Sequence, residues 1–158
     1  MPESTRNSSR SPVSDIDRAV SLFSEGFACS QAVLLGFAPR FGLNPDIAAR
    51  LSAPFGGGMG RMGEVCGAVS GSLMVIGLAS GNATAQDKES KDRAYQLVRE
   101  FAARFRARQG SLLCRELLGC DLSQPGGPEL ARERKLFTTR CPVLVRDAAE
   151  ILAKVLEL

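Results

Sequence analysis

The sequence predicts an all-α protein. Three observations support that prediction: the spacing of apolar residues, the positions of helix-ending residues and the overall composition. Apolar residues recur at helical spacing along most of the chain, with no competing run of alternating polar and apolar residues. Glycine, proline and small polar residues divide the chain at intervals typical of helix ends. The length of 158 residues, with 44% hydrophobic and 23% charged residues, suits one folded domain. We therefore expect a single-domain bundle of six to eight helices.

The first part of the chain contains a polar lead and three helices. Residues 1–13 are rich in Ser, Arg and Pro and predict a disordered lead, so the helical domain is expected to span 14–158. Asn44 and Pro45 are a strong start signal, with Asn as the N-cap and Pro in the first helical position. The apolar spacing and these signals predict helices over 15–25, 27–41 and 46–53.

A central helix is predicted over residues 65–80. This stretch is almost wholly apolar or small, and at about 16 residues it is shorter than the ~20 that cross a bilayer. We therefore expect it to be buried, with the other helices packed around it. Gly67 and Gly71 lie on one face of this helix and both lower its propensity. They predict a close approach there by another backbone or a bulky prosthetic group, and the same apolar helix is a candidate homodimer contact.

The last part of the chain contains a long amphipathic helix, two short helices and a terminal helix. The short helix after residue 111 carries Cys114 and ends at Gly119. Cys141 caps the terminal helix, and Pro142 is its first residue. The predicted helices cover 87–108, 112–118, 129–135 and 143–156.

Composition and charge exclude several classes of function. The chain has no histidine, which removes Ser-His-Asp and Cys-His catalysis and every histidine-dependent zinc or haem site. A formal charge of +3 is too weak to predict nucleic acid or an anionic membrane as the main partner. No secretory apolar segment is found in the lead, so we expect a cytoplasmic protein. Its five cysteines are then expected to be metal ligands, redox thiols or core residues rather than disulfides.

Three cysteines, Cys29, Cys66 and Cys141, fall within a residue or two of a predicted helix start. Unpaired N–H groups and the positive end of the helix dipole favour a thiolate there, so we expect lowered cysteine pKa values. No Cys-x-x-Cys pair exists, so metal ligands would have to converge from separate helices. Thiolates without histidine favour an iron–sulfur cluster over tetrahedral zinc, and a metal-free thiol–disulfide protein is the alternative.

A glycine-rich segment precedes the central helix, with five glycines in residues 55–64. Glycines allow backbone N–H groups to approach cluster sulfurs and donate hydrogen bonds to them, although a plain tight turn is the alternative. The arginine in this segment is predicted to stabilise a thiolate or an anionic cluster. Glu64 is either a proton relay or an acidic residue that complements a helix N-terminus. The predicted cofactor-binding residues are Gly57, Gly58, Gly60, Arg61 and Gly67.

Several short segments occur together in an order typical of one family: Cys29-Ser30-Gln31-Ala32-Val33, Gly56-Gly57-Gly58-Met59-Gly60, Gly63-Glu64-Val65-Cys66-Gly67-Ala68-Val69-Ser70-Gly71, Cys114-Arg115-Glu116-Leu117-Leu118-Gly119 and Cys141-Pro142. Over about residues 15–158 the chain resembles the C_GCAxxG_C_C family of redox-active proteins. The family label writes Gly-Cys-Ala where this chain has Cys66-Gly67-Ala68, and we identify the two as the same motif.

The resemblance implies a small helical protein whose signature cysteines bind a metal or an iron–sulfur cluster, or act in redox chemistry with a redox protein as partner. Zinc in a structural interaction module is the less favoured cofactor. If the thiols act without metal, Cys66 is predicted to be the nucleophile. Cys120 lies outside the signature and is expected to be a core residue. The cysteines that correspond to the signature are Cys29, Cys66, Cys114 and Cys141.

Overall fold

The computed structural model describes residues 13–158, so the predicted lead lies, except for Val13, outside the described residues. Eight of the helical segments in this part of the chain have five residues or more, and no β-sheet is formed there, which confirms the predicted all-α class. The segments are α1 (Asp15–Ser24), α2 (Cys29–Phe37), α3 (Pro45–Ser52), α4 (Gly56–Met59), α5 (Gly67–Ser80), α6 (Lys88–Gln109), α7 (Cys114–Leu118), α8 (Gly127–Glu133), α9 (Leu136–Thr139) and α10 (Cys141–Val155).

Helix α5 is the centre of the bundle, as the sequence predicts. It packs against α2, α6 and α10, while α1 covers the outer side of α2 and α10. Val75 and Ile76 of α5 are fully buried. Phe101 and Phe105 of α6 stack with their ring centroids 6.0 Å apart. Burial of these side chains supplies the main driving force for folding, at about 1.5–3 kcal/mol for each large apolar side chain.

Three predicted helix starts are confirmed by their caps. The Ser14 side chain accepts a hydrogen bond from the Asp17 N–H, and Asn44 accepts from two N–H groups in the first turn of α3. Asp87 caps α6 in the same way. Helix α2 is shorter than predicted, because the chain around Pro39 tightens into a 3-10 turn, Ala38–Phe41. Proline lacks the N–H that a continuing α-helix requires.

The two glycines of α5 allow α2 to approach closely. A Cβ added at Gly71 would lie 2.7 Å from the Ser30 carbonyl oxygen, and one at Gly67 would lie 3.1 Å from the Ser30 nitrogen. The predicted close approach is therefore made by the backbone of α2. The homodimer stays a prediction, since these glycines already serve a contact within the chain.

None of the helices in residues 13–158 combines the length and the apolar character that crossing a membrane requires. The most apolar of them, α5, is 14 residues long.

The helix contact predicts opposite effects for two alanine substitutions in α5. Gly71→Ala should lower the free energy of unfolding by about 1–3 kcal/mol, because the new methyl group overlaps the Ser30 carbonyl. Gly77→Ala should raise it by about 0.5–1 kcal/mol, because Gly77 has no atom within 4 Å of an added Cβ. Urea unfolding of both variants checks this, and equal effects at the two positions would contradict the packing described above.

Candidate functional site

Four cysteines line one cavity of about 450 Å³. Each lies at the start of a helix: three are the first residues of their helices, and Cys66 is the N-cap of α5. Phe23, Leu118, Leu122, Phe137 and Leu144 supply apolar walls. The four cysteines are Cys29, Cys66, Cys114 and Cys141, and all five predicted cofactor-binding residues line the same cavity.

A short backbone pairing fixes Cys66 and Cys114 relative to each other. Val65 and Leu113 form an isolated antiparallel bridge. The Cys66 N–H donates to the Leu112 carbonyl at 2.8 Å, and the Cys114 N–H donates to the Glu64 carbonyl at 2.6 Å. The sequence predicts that the central helix begins at Val65, but α5 begins at Gly67. The bridge holds Val65 in an extended conformation, and an extended residue cannot be part of a helix.

The other two cysteines are positioned by helix packing. A Cβ added at Gly67 would lie 3.4 Å from the Cys29 Cβ, so Cys29 lies directly against the start of α5. Cys141 begins α10, and its predecessor Arg140 donates from Nε to the Leu117 carbonyl at 3.1 Å. Because Leu117 belongs to α7, this hydrogen bond ties the helix that carries Cys114 to the helix that carries Cys141.

The glycine-rich segment forms a left-handed turn and not an ordinary loop. Five consecutive residues have positive φ, and two of them, Met59 and Arg61, are not glycine. A left-handed conformation costs a residue with a Cβ roughly 1–2 kcal/mol. The turn is closed by hydrogen bonds from the Arg61 N–H to the Gly56 carbonyl and from the Gly63 N–H to the Gly57 carbonyl, both at 3.3 Å. Gly57 and Gly58 line the cavity, so the turn brings its backbone to the cavity wall.

Gly58 is the most constrained residue of this turn. Its φ is 69°, and an added Cβ would lie 2.7 Å from the Cys114 Cβ and 2.7 Å from the Glu64 nitrogen. Its carbonyl accepts a hydrogen bond from the Glu64 N–H at 3.0 Å. Only glycine fits at this position, and its backbone therefore lies against Cys114.

The lowered pKa values that the helix starts predict are wrong for Cys29 and Cys66. Burial raises the pKa of the Cys66 thiol from its ordinary 9.0 to about 12, with a further contribution from Cys29. Hydrogen-bond contact with Cys141 and then burial raise the pKa of Cys29 well above its usual value. The pKa of Cys114 is also raised to about 12, first by burial and then by Cys66.

The helix-start effect is present but is the smaller effect. The N–H groups of Ala68 and Val69 at the start of α5 lower the pKa of Cys66, and so does the charge of Arg140. Desolvation of a thiolate outweighs them, because burial in a low-dielectric interior penalises the charged form. In the metal-free protein Cys29, Cys66 and Cys114 are therefore thiols at neutral pH.

Other predicted residues lie outside the cavity. Cys120 is buried among apolar side chains and donates from Sγ to the Gly127 carbonyl at 3.4 Å, consistent with a core role. Glu64 is exposed and forms an ion pair with Arg115 at 3.3 Å. Within residues 13–158, no three Cys, Asp or Glu side chains form a group that could hold a metal ion.

Sequence reasoning did not identify Arg140 or the apolar walls as parts of the site. Arg140 could have been found from its position immediately before a helix-starting cysteine, where a cation close to a thiolate is expected to matter. Leu122 and Phe137 carried no local signal, because their approach to the cavity depends on how α7, α8 and α9 fold back on the bundle.

The left-handed turn predicts unequal effects of alanine at two of its glycines. Gly58→Ala should lower the free energy of unfolding by about 2–5 kcal/mol, since both the conformation and the contact with Cys114 oppose a Cβ. Gly60→Ala should cost only about 1–2 kcal/mol, because its nearest atom is 3.9 Å away and the conformational strain alone remains. Denaturant unfolding measures both, and a Gly60 variant as unstable as the Gly58 variant would contradict this geometry.

The raised pKa of Cys66 predicts a loss of stability in alkali. Above pH 9 the unfolded chain loses this thiol proton while the folded chain keeps it, so the free energy of unfolding falls as pH rises towards about 12. Each pH unit in this range should cost about 1.4 kcal/mol for this thiol. Unfolding of reduced, chelator-treated protein at pH 8–10.5 measures the slope. Cys66→Ala should have a shallower slope than the wild-type protein, and identical slopes would contradict the assignment.

Comparison with known proteins places the chain in a family. The family model described as "Putative redox-active protein (C_GCAxxG_C_C)" matches residues 27–155, which include all four cavity cysteines. No curated protein and no solved structure matches the chain significantly. Because the match covers most of the chain and the segments that carry the site, the chain belongs to the C_GCAxxG_C_C family of redox-active proteins.

Proposed function

We propose that this protein is a small redox protein in which four cysteines hold an iron–sulfur cluster. The observation that carries the proposal is their convergence: thiols from four separate helix starts line one cavity. When bound, the cluster would supply one-electron redox chemistry. The proposed ligands are Cys29, Cys66, Cys114 and Cys141.

The residues around the thiols fit a cluster in three respects. Four cysteines without histidine are the usual ligand set of such clusters. Gly57 and Gly58 bring the backbone of the left-handed turn to the cavity wall, where N–H groups would donate hydrogen bonds to cluster sulfurs. Arg140 brings positive charge towards Cys66, which offsets part of the cost of several thiolates in one place.

The size of the cavity favours a cluster over zinc. A tetrahedral zinc ion lies about 2.3 Å from its sulfurs, so a sphere of that radius encloses about 50 Å³. The cavity is several times larger, at about 450 Å³.

In this proposal the fold positions the four ligand thiols, and their protons are released when the cluster binds. The bridge between Val65 and Leu113 fixes the spacing of Cys66 and Cys114, and α2 and α10 bring the other two thiols. Loading requires the thiols to lose their protons, so cluster binding is coupled to proton release and strengthens as pH rises towards the thiol pKa values.

A metal-free thiol protein is the second candidate, and the contact between Cys29 and Cys141 favours it. In that case the two thiols would give two protons and two electrons to a small disulfide and become a disulfide, while the small disulfide becomes two thiols. The prediction of Cys66 as the nucleophile is less favourable here, because its raised pKa leaves little thiolate at neutral pH.

Metal and sulfide analysis of anaerobically purified protein tests the proposal. We expect a brown protein with visible absorbance, iron and acid-labile sulfide. Single alanine variants of the four cavity cysteines should lose most of the iron, because each removes one ligand. Cys120→Ala is the matched control and should keep the wild-type iron content, since Cys120 is equally buried but lies outside the cavity.

Circular dichroism of each variant separates loss of a ligand from loss of the fold. Full iron content in a folded Cys66→Ala protein would contradict the proposal, and so would zinc without sulfide in the wild-type protein. A colourless, metal-free protein whose Cys29 and Cys141 thiols are consumed by oxidised glutathione would favour the second candidate.

A further inference from the structure

We propose that the same cavity binds a small organic anion with an apolar body, whose anionic group contacts Arg61. The body would be an aromatic or branched hydrocarbon, and the charged group a carboxylate or sulfonate. The binding itself needs only the cavity.

Arg61 gives the cavity its charge. Among residues 13–158, it is the only charged side chain that lines the cavity. None of the ion pairs in residues 13–158 includes Arg61. The positive charge that lowers the pKa of Cys66 belongs to Arg140 and not to Arg61. The guanidinium of Arg61 is therefore available to another anion.

The backbone conformation of Arg61 supports a role of this residue in ligand binding. Its φ is 66°, and three of the five residues in this turn are glycine, with Met59 and Arg61 as the other two. A non-glycine residue in this conformation costs roughly 1–2 kcal/mol, and such strain is concentrated at ligand-binding sites. The Arg61 Cγ lies against Gly57, which directs the base of the side chain along the turn that lines the cavity.

The rest of the lining suits an apolar body. Three leucines and two phenylalanines line the cavity, from α1, α7, α10 and the segments between α7 and α10. A volume of about 450 Å³ lies within the range of small-molecule sites, which combine apolar walls with a few placed polar groups. The walls are formed by Phe23, Leu118, Leu122, Phe137 and Leu144.

Two probes with the same rings separate the charged contact from the apolar one. Anilinonaphthalene sulfonate is an aromatic sulfonate, and N-phenylnaphthylamine has the same ring system without the sulfonate. Equilibrium dialysis of both probes against the full-length protein, as purified and again after chelation, gives their affinities. We expect Arg61→Gln to weaken sulfonate binding about tenfold and leave the neutral probe unchanged.

Matched variants locate the site. Arg61→Lys should restore most of the sulfonate affinity, and Arg99→Gln, which removes an exposed charge that is not part of the cavity lining, should change the binding of neither probe. Leu122→Ala should weaken both probes, because it removes part of the apolar wall. Equal weakening of both probes by Arg61→Gln, or no effect of that variant on the sulfonate, would overturn the proposal, as would the absence of saturable binding in both forms of the protein.

The outcome is independent of the cluster. Iron and sulfide are measured on separate wild-type samples, so a protein without iron that still shows Arg61-dependent sulfonate binding supports the anion site while the cluster fails. Iron and sulfide in a protein that binds neither probe overturns the anion site and leaves the cluster proposal standing.

Discussion

The close approach of α2 to α5 is the contact on which the cavity depends. Where Gly67 and Gly71 meet Ser30, an added Cβ would lie within about 3 Å of the Ser30 backbone. Cys29 precedes Ser30 and Cys66 precedes Gly67, so the same contact that packs the core brings these two thiols to one cavity. The core and the candidate site are therefore parts of one packing arrangement, and a change that separates the two helices also separates the thiols.

Two opposing effects act on the thiols. Helix starts and a nearby arginine favour the thiolate, whereas burial favours the thiol, and burial prevails for Cys66. The raised pKa values keep Cys29, Cys66 and Cys114 protonated and weakly nucleophilic. Protonated thiols are oxidised more slowly than thiolates. Burial therefore protects these thiols from oxidation until a bound group displaces their protons.

The sequence predicted the helices well because their signals are local. Periodic apolar residues and caps such as Asn44 depend only on near neighbours, and α5 was identified by its apolar character alone. The cysteine positions at helix starts followed from the same local signals. The bridge between Val65 and Leu113 was not predictable, because two residues 48 positions apart in the chain leave no periodic pattern. The direction of the cysteine pKa values was missed for a related reason, since burial is a property of the tertiary fold.

The distribution of the four cysteines along the chain has a consequence for synthesis. They span residues 29–141, and no neighbouring pair in sequence supplies two of them. A nascent chain therefore has no complete site until Cys141 has left the ribosome and α10 has docked on the bundle. Sites built from such distant segments form late in folding, because their contacts require long loops to close first. Any metal centre bound by all four cysteines would therefore be completed only after this segment has been translated and α10 has packed on the bundle.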